Sequence, residues 1–249
     1  MLNIAILASG DPESGGGGST ADRFIRDVKR GKAEVNVGLI ICNNSIEKVS
    51  GFYERFETIA REIGMRIPIE TINGIRYPKG KQERGQTLEE SSAICRTLED
   101  HNIDFVLGLG YCKVATGEFA DTWLWQPEYA EEYPETNGIY HPNARTTNNH
   151  PGWLSGDERP DTRDTHGEGA AARAMELGIP HNAFTFQAMS AAVDEGPKIA
   201  EVLVPIHYGV DLPAGVFART QVEEKAATAV FAHNHLQQWE EHQALRRAA

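Results

Sequence analysis

A histidine followed by proline, His141-Pro142, and an acidic turn, Asp194-Glu195-Gly196-Pro197, stand about fifty residues apart. An imidazole and a carboxylate held in one cleft can share a proton. Such a pair suits transfer of an acyl or formyl group to an amine, because the amine must lose a proton as it attacks. We therefore take His141 and Asp194 as the candidate reactive pair. The alternative for Asp194 is an ordinary aspartate in a Gly-Pro turn.

A glycine-rich turn precedes both motifs. Residues 3–8 are apolar and predict a buried strand, and the four glycines at 15–18 are followed by Ser19, Thr20 and a helical pattern. Backbone N–H groups of such a turn can approach an anion, and the helix N-terminus adds partial positive charge. We predict a phosphate or similar anion at Gly17, Gly18, Ser19 and Thr20, with Ser19 or Thr20 as the N-cap. The other interpretation is a loop that needs positive φ angles.

Strands and helices alternate in the first half of the chain. Apolar runs at 35–42, 65–72 and 104–110 predict strands, and residues 45–63 and 87–100 predict helices. This alternation requires crossover connections, so we expect an α/β fold with a mostly parallel, doubly wound, Rossmann-like sheet. Active sites of open α/β sheets form at the carboxyl ends of the strands, and the apolar approach to His141 places it at such an end.

The second half is organised differently. Residues 143–166 are almost wholly polar, and we predict a long loop there that is a lid or is partly disordered. An alanine-rich helix at 168–177 follows. Strands at 182–189 and 198–206, joined by the acidic turn, predict an antiparallel C-terminal portion, and residues 214–247 predict one or two helices.

These elements predict one domain over 1–249 without a clear internal linker. We divide it into a phosphate-binding half at 1–110, a second half at 111–210 with a polar insertion at 143–165, and a helical segment at 211–249.

The composition limits the partners. A formal net charge of −12 and a pI near 5.2 argue against nucleic acid and anionic membranes as binding partners.

The three cysteines, Cys42, Cys95 and Cys112, lack disulfide or zinc spacing. Asn148-Asn149-His150 offers donor atoms, but no further ligands at metal spacing, so we predict no metal. We expect a cytoplasmic protein with small-molecule substrates, and leave homodimerisation open.

The ordered motifs resemble the phosphoribosylglycinamide formyltransferase family, part of the folate-dependent formyltransferase superfamily. The resemblance covers most of residues 2–235, with 143–164 as an insertion. It is carried, in chain order, by Asn3-Ile4-Ala5-Ile6-Leu7-Ala8-Ser9-Gly10, Gly17-Gly18-Ser19, Ile41-Cys42-Asn43-Asn44, Val106-Leu107-Gly108-Leu109-Gly110-Tyr111, His141-Pro142, Asp194-Glu195-Gly196-Pro197-Lys198-Ile199, Val204-Pro205, Asp211, Ala218-Arg219 and Glu223-Glu224.

The resemblance implies transfer of a formyl group from 10-formyltetrahydrofolate to the amine of glycinamide ribonucleotide, a step of purine biosynthesis. His141 would stabilise the oxyanion, and Asp194 would orient His141 and manage the proton through a water. The glycine-rich turn would hold the ribonucleotide phosphate. The folate would lie against Leu109, Gly110, Tyr111, Lys113, Val114 and Ser190.

The sequence departs from the family at two positions. The family carries an asparagine two residues before its histidine, and here that position is Ile139; many relatives carry a second histidine where this chain has Gln187. Loss of one oxyanion donor costs roughly 10²–10³ in rate. The alternatives are therefore another acceptor, such as an amino sugar or hydroxylated amino acid, hydrolysis of the formyl donor, or a binding protein with impaired catalysis.

Overall fold

The computed structural model describes residues 1–8, 17–42, 50–72, 85–111, 114–132, 144–154, 169–192 and 195–248. Within these residues one seven-stranded sheet has the order β3-β2-β1-β4-β5-β6-β7. The strands are β1 (Leu2–Ala8), β2 (Val35–Cys42), β3 (Ile69–Thr71), β4 (Phe105–Gly108), β5 (Thr146–His150), β6 (His181–Ala188) and β7 (Lys198–Pro205).

Strand direction changes twice across this sheet, on each side of β6. Neighbours from β3 to β5 are parallel, whereas β6 is antiparallel to β5 and β7 is antiparallel to β6. The prediction of a mostly parallel α/β sheet with an antiparallel C-terminal portion is therefore confirmed.

Helices cover both faces of the sheet. They are α1 (Gly17–Lys29), α2 (Ser50–Ile63), α3 (Leu88–Asp100), α4 (Gly117–Trp123), α5 (Pro127–Glu132), α6 (Ala170–Glu176) and α7 (Pro213–Ala248). One face packs against α1, α2 and α7 through a core that includes Ile6, Phe24 and Phe56. The other face packs against α3 and α4 through Leu7, Ile94 and Phe119. No helix in the described parts of the chain is long and apolar enough to span a bilayer.

Buried apolar strands and capped helices lie where the sequence predicts them. Strand β2 has the predicted bounds, because its apolar residues are buried on both faces. Helix α3 begins at a capping box, in which Glu90 N–H donates to Thr87 Oγ1 and Thr87 N–H donates to the Glu90 carboxylate. Such a cap stabilises a helix by about 1 kcal/mol.

Two predictions about local structure are wrong. Helix α1 begins at Gly17, so Ser19 and Thr20 lie inside its first turn and neither is the N-cap. Strand β5 lies inside the polar stretch predicted as loop. Its sequence, Thr-Thr-Asn-Asn-His, has no apolar alternation, yet four of its five residues are buried. Asn149 Nδ2 donates to Glu224 and Thr228 of α7, and hydrophobic periodicity does not detect a strand that is held by such polar contacts.

Candidate functional site

The strand order places a crevice beside β1 and β4. From β1 the chain continues to β2 and β3 on one side, then crosses to β4 on the other. At such a switch point the loops that follow the two central strands diverge, and ligands of open α/β sheets bind there. The first turn of α1, the loop after β4 and the carboxyl end of β5 all belong to this edge of the sheet.

The predicted anion site lies at the start of α1. Helix α1 begins at Gly17 with no acidic side chain in its first turn, and the first backbone N–H groups of a helix have no intrahelical acceptor. Ser19 is partly exposed, but Thr20 is 1% exposed and its hydroxyl donates to Glu224 Oε1 at 3.0 Å. The backbone of the turn and Ser19 therefore remain the candidate anion ligands, while Thr20 faces the protein interior.

The loop after β4 is braced by one glutamine. Leu109 and Tyr111 are buried, and Gly110 between them has φ of +74°. Gln86 Nε2 donates to the Tyr111 hydroxyl at 2.5 Å, and Gln86 N–H donates to the Val114 carbonyl at 2.9 Å. Gln86 thus fixes the predicted folate loop on both sides of Lys113, which lies outside the described residues.

The loop that carries Ser190 packs against the end of β6. Ser190 Oγ donates to the Ala192 carbonyl at 2.8 Å, and Trp125 N–H donates to the Met189 carbonyl at 2.8 Å. A Cβ atom at Gly196 would lie 1.8 Å from the Ala188 carbonyl oxygen, so the turn approaches the strand closely. Asp194 lies outside the described residues.

His141 and Ile139 also lie outside the described residues, so the pairing of His141 with Asp194 stays a prediction. The structure instead brings a different histidine to the carboxyl edge. Strand β5 ends at His150, and its last residues read Asn148-Asn149-His150, followed by Pro151. This string has the asparagine two residues before a His-Pro pair that the family pattern requires.

Asn148 and His150 point to the same face of the sheet, because side chains alternate along a strand. Asn149 between them donates to Glu224 Oε1 and Thr228 Oγ1 of α7, which fixes Asn149 on the α7 face. Asn148 and His150 therefore face the side that α3 and α4 cover. His150 is 5% exposed.

Asn148 lies in a space that a glycine leaves open. It pairs with Gly108 of β4 and with Gln187 of β6. A Cβ atom at Gly108 would lie 2.8 Å from Asn148 Oδ1. That oxygen is buried and has no hydrogen-bond partner among the residues described. A buried acceptor without a donor costs about 1–3 kcal/mol, and a ligand with an N–H group would remove this cost.

The sequence contained the signal for this second pair. The Asn-x-His-Pro string is complete at 148–151, whereas 139–142 lacks the asparagine. The apolar approach to His141 favours the earlier pair, whereas the polar stretch 143–166 is typical of a loop. Strand β5 shows that the second pair lies at the end of a strand.

No family profile matches the chain, and no curated protein matches it in sequence. Solved structures do match. Glycinamide ribonucleotide transformylase 1 from Symbiobacterium toebii has a TM-score of 0.64 at 21% identity, over 94% of this chain and 86% of that one. Phosphoribosylglycinamide formyltransferase from Brucella melitensis has a TM-score of 0.62 at 20% identity, over 94% of each chain. The chain has the formyltransferase fold.

The formyltransferase fold is shared by proteins with different reactions. A formyltetrahydrofolate deformylase from Pseudomonas syringae pv. tomato also matches, with a TM-score of 0.61 at 16% identity, over 95% of this chain and 62% of that one. At these identities the likeness concerns the fold.

Proposed function

We propose that this protein is a folate-dependent formyltransferase that acts on a small primary amine. The observation that carries the proposal is the end of β5, where Asn148 and His150 face one side at the switch point of a formyltransferase fold. The loop Leu109–Tyr111 directly follows Gly108, which is the residue of β4 that pairs with Asn148. A folate along this loop would bring its formyl group towards these two side chains.

The donor in this proposal is 10-formyltetrahydrofolate, which supplies an activated formyl carbon when bound. The orphaned Asn148 Oδ1 fits a ligand that brings an N–H donor, such as the attacking amine. In this proposal the amide nitrogen of Asn148 and the imidazole of His150 donate to the formyl oxygen. That oxygen gains negative charge as the amine attacks, and preorganised donors stabilise it.

The proton balance assigns a role to a carboxylate. The amine loses a proton as its new C–N bond forms, and the folate nitrogen needs one as its C–N bond breaks. We propose that Asp194 accepts the first proton, through a water, and returns it to the departing nitrogen. His150 would then be the partner of Asp194, with His141 as the alternative partner.

The proposed acceptor is a phosphorylated amine, glycinamide ribonucleotide or a close relative. The start of α1 supports it, because the first turn is free of acidic residues and its N–H groups suit a phosphate. Purine biosynthesis would be the corresponding role. The inward orientation of Thr20 removes one hydroxyl from this site and favours testing unphosphorylated acceptors as well.

A turnover assay tests the proposal. Purified protein is mixed with 10-formyltetrahydrofolate and glycinamide ribonucleotide, and then with amino sugars or with no amine. Tetrahydrofolate release is followed optically, and the acceptor is examined by mass spectrometry. We expect amine-dependent release. Amine-independent release would identify a deformylase, and absence of both release and folate binding would refute the proposal.

Variants decide which histidine acts. We expect His150→Ala to abolish transfer and Asn148→Ala to lower kcat by about 10²–10³-fold, because each removes one donor to the oxyanion. His141→Ala should leave kcat near the wild-type value. Loss of transfer in His141→Ala with normal turnover in His150→Ala would instead assign the reaction to His141. His233→Ala on α7, where the imidazole is partly exposed, is the control for a histidine away from the site.

A further inference from the structure

A buried polar cluster lies on the opposite face of β5 from Asn148 and His150. We call it the Glu224 cluster; it consists of Thr20, Asn149, Glu224 and Thr228. Glu224 Oε1 accepts from Thr20 Oγ1 at 3.0 Å and from Asn149 Nδ2 at 3.2 Å. Asn149 Nδ2 also donates to Thr228 Oγ1 at 2.9 Å. One carboxylate oxygen thus joins the first turn of α1 to the strand β5.

The burial of this carboxyl is costly. Glu224 is 6% exposed, and burial raises its pKa, an effect that its hydrogen bonds with Asn149 and Thr20 oppose. An apolar side chain of similar size would fill the same space at lower desolvation cost. A carboxyl that accepts from two different elements links those elements, which an apolar side chain would not do.

The positions of Asn149 and Thr20 indicate what this link does. Asn149 lies between Asn148 and His150, so its hydrogen bonds fix the backbone that aims both neighbours. Thr20 lies in the turn that carries the predicted phosphate site. We propose that Asn149 and Glu224 are positioning residues that hold the acceptor end of the site and the strand bearing Asn148 and His150 at a fixed separation. This inference rests on the proposed function.

The chain contains a matched control for the Asn149 contact. Asn182 on β6 is also buried, and its Nδ2 donates to Thr220 Oγ1 of α7 at 2.9 Å. Asn149 and Asn182 therefore make the same kind of strand-to-helix bond to the same helix. The Asn182 bond to Thr220 involves neither α1 nor β5, and the longer bond from Asn182 Nδ2 to the Pro151 carbonyl, at 3.4 Å, lies just beyond the end of β5. Asn149→Leu therefore releases β5 itself, whereas Asn182→Leu does not.

The kinetic test compares these variants at saturating formyl donor. Misplacement of a catalytic group by about 1 Å can cost 10²-fold in rate. We expect Asn149→Leu to lower kcat by about this factor with little change in either KM, and Asn182→Leu to keep kcat. Glu224→Gln keeps an oxygen acceptor for both donors and should stay close to wild type.

Several results would overturn the positioning role. A rise in the acceptor KM alone for Asn149→Leu or Glu224→Gln would make the residue a direct substrate ligand. Equal loss of kcat in Asn182→Leu would reduce the effect to general stability. A kcat for Glu224→Gln as low as that of Asn149→Leu would assign the role to charge rather than to the hydrogen bonds.

A second measurement does not depend on turnover, so it separates failure of this inference from failure of the proposed function. Hydrogen–deuterium exchange should show faster exchange in the first turn of α1 for Asn149→Leu, but not for Asn182→Leu. If Asn149→Leu does not fold, Thr20→Val breaks the other bond and should speed exchange in β5. Unchanged exchange in the distant element for the variants that fold would refute the coupling.

Discussion

Replacement of Gly108 by alanine tests the site with a single methyl group. The new Cβ would lie 2.8 Å from Asn148 Oδ1, 3.0 Å from the Thr147 carbonyl oxygen and 3.4 Å from Asn148 Cγ. The asparagine side chain can rotate away, but the Thr147 carbonyl belongs to the β4–β5 ladder and can only shift with its strand. Both adjustments move Asn148 from its position beside the end of β4.

The expected magnitude follows from these contacts. Overpacking of this kind costs about 1–3 kcal/mol of folding stability. The displaced Asn148 loses its aim at the formyl oxygen, and a misplaced donor costs on the order of 10²-fold in rate. We therefore expect Gly108→Ala to fold, with a lower urea midpoint, and to lose about 10²-fold in kcat. The two quantities are measured by chemical denaturation and by the turnover assay.

Gly38→Ala is the matched control. A Cβ at Gly38 of β2 would lie 2.1 Å from Asn3 Oδ1, so this substitution also displaces an asparagine side chain from a neighbouring strand. Asn3 is at the start of β1, at the edge of the sheet opposite the proposed site. Gly38→Ala should lower stability and keep kcat. Wild-type kcat in a folded Gly108→Ala protein would show that Asn148 has no part in the reaction.

Three further predictions concern stability and thiol reactivity. Gly196→Ala would place a Cβ 1.8 Å from the backbone oxygen of Ala188, so we expect a loss of about 3 kcal/mol or more in urea unfolding; a smaller loss than in Gly108→Ala would contradict the close approach. Two hydrogen bonds from Arg219 lower the pKa of Asp211 to about 2, so the stabilisation is complete above the usual aspartate pKa and is lost as the pH falls through 2. Asp211→Asn should therefore lower Tm more at pH 7 than at pH 2, and an equal drop at both would exclude an ionic contribution. Burial raises the pKa of the Cys95 thiol to about 11, so mass spectrometry should find slow alkylation at pH 8 until denaturant is added.

The elements that sequence patterns predicted well share a simple physical cause. Strand β2 is mostly apolar and buried, β6 contributes Phe184 and Phe186 to the core, and α3 starts at the Thr87 capping box; each signal is local. The sequence does not predict that α1 starts at Gly17, because Gly17 and Gly18 have low helix propensity. Packing of the following α1 residues against α7 overrides that low propensity.

The candidate site shows the same division. The order of the glycine turn, the β4 loop and the acidic turn was readable from sequence and led to the correct fold. The sequence contains the string Asn148-Asn149-His150, but its polar residues are typical of a loop. Asn149 is buried in a strand because it bonds to Glu224, a residue 75 positions away. Local sequence patterns do not identify such a polar strand, because its burial depends on a residue that is distant in the sequence.

Helix α7 follows all seven strands in the sequence, and Glu224 lies within it. During synthesis the strands can therefore emerge and pair before the carboxyl that joins Thr20 to Asn149 leaves the ribosome. A nascent chain at that stage would have its sheet but not the complete Glu224 cluster. The alignment of Asn148 and His150 would then be completed as a late, single event, when α7 docks.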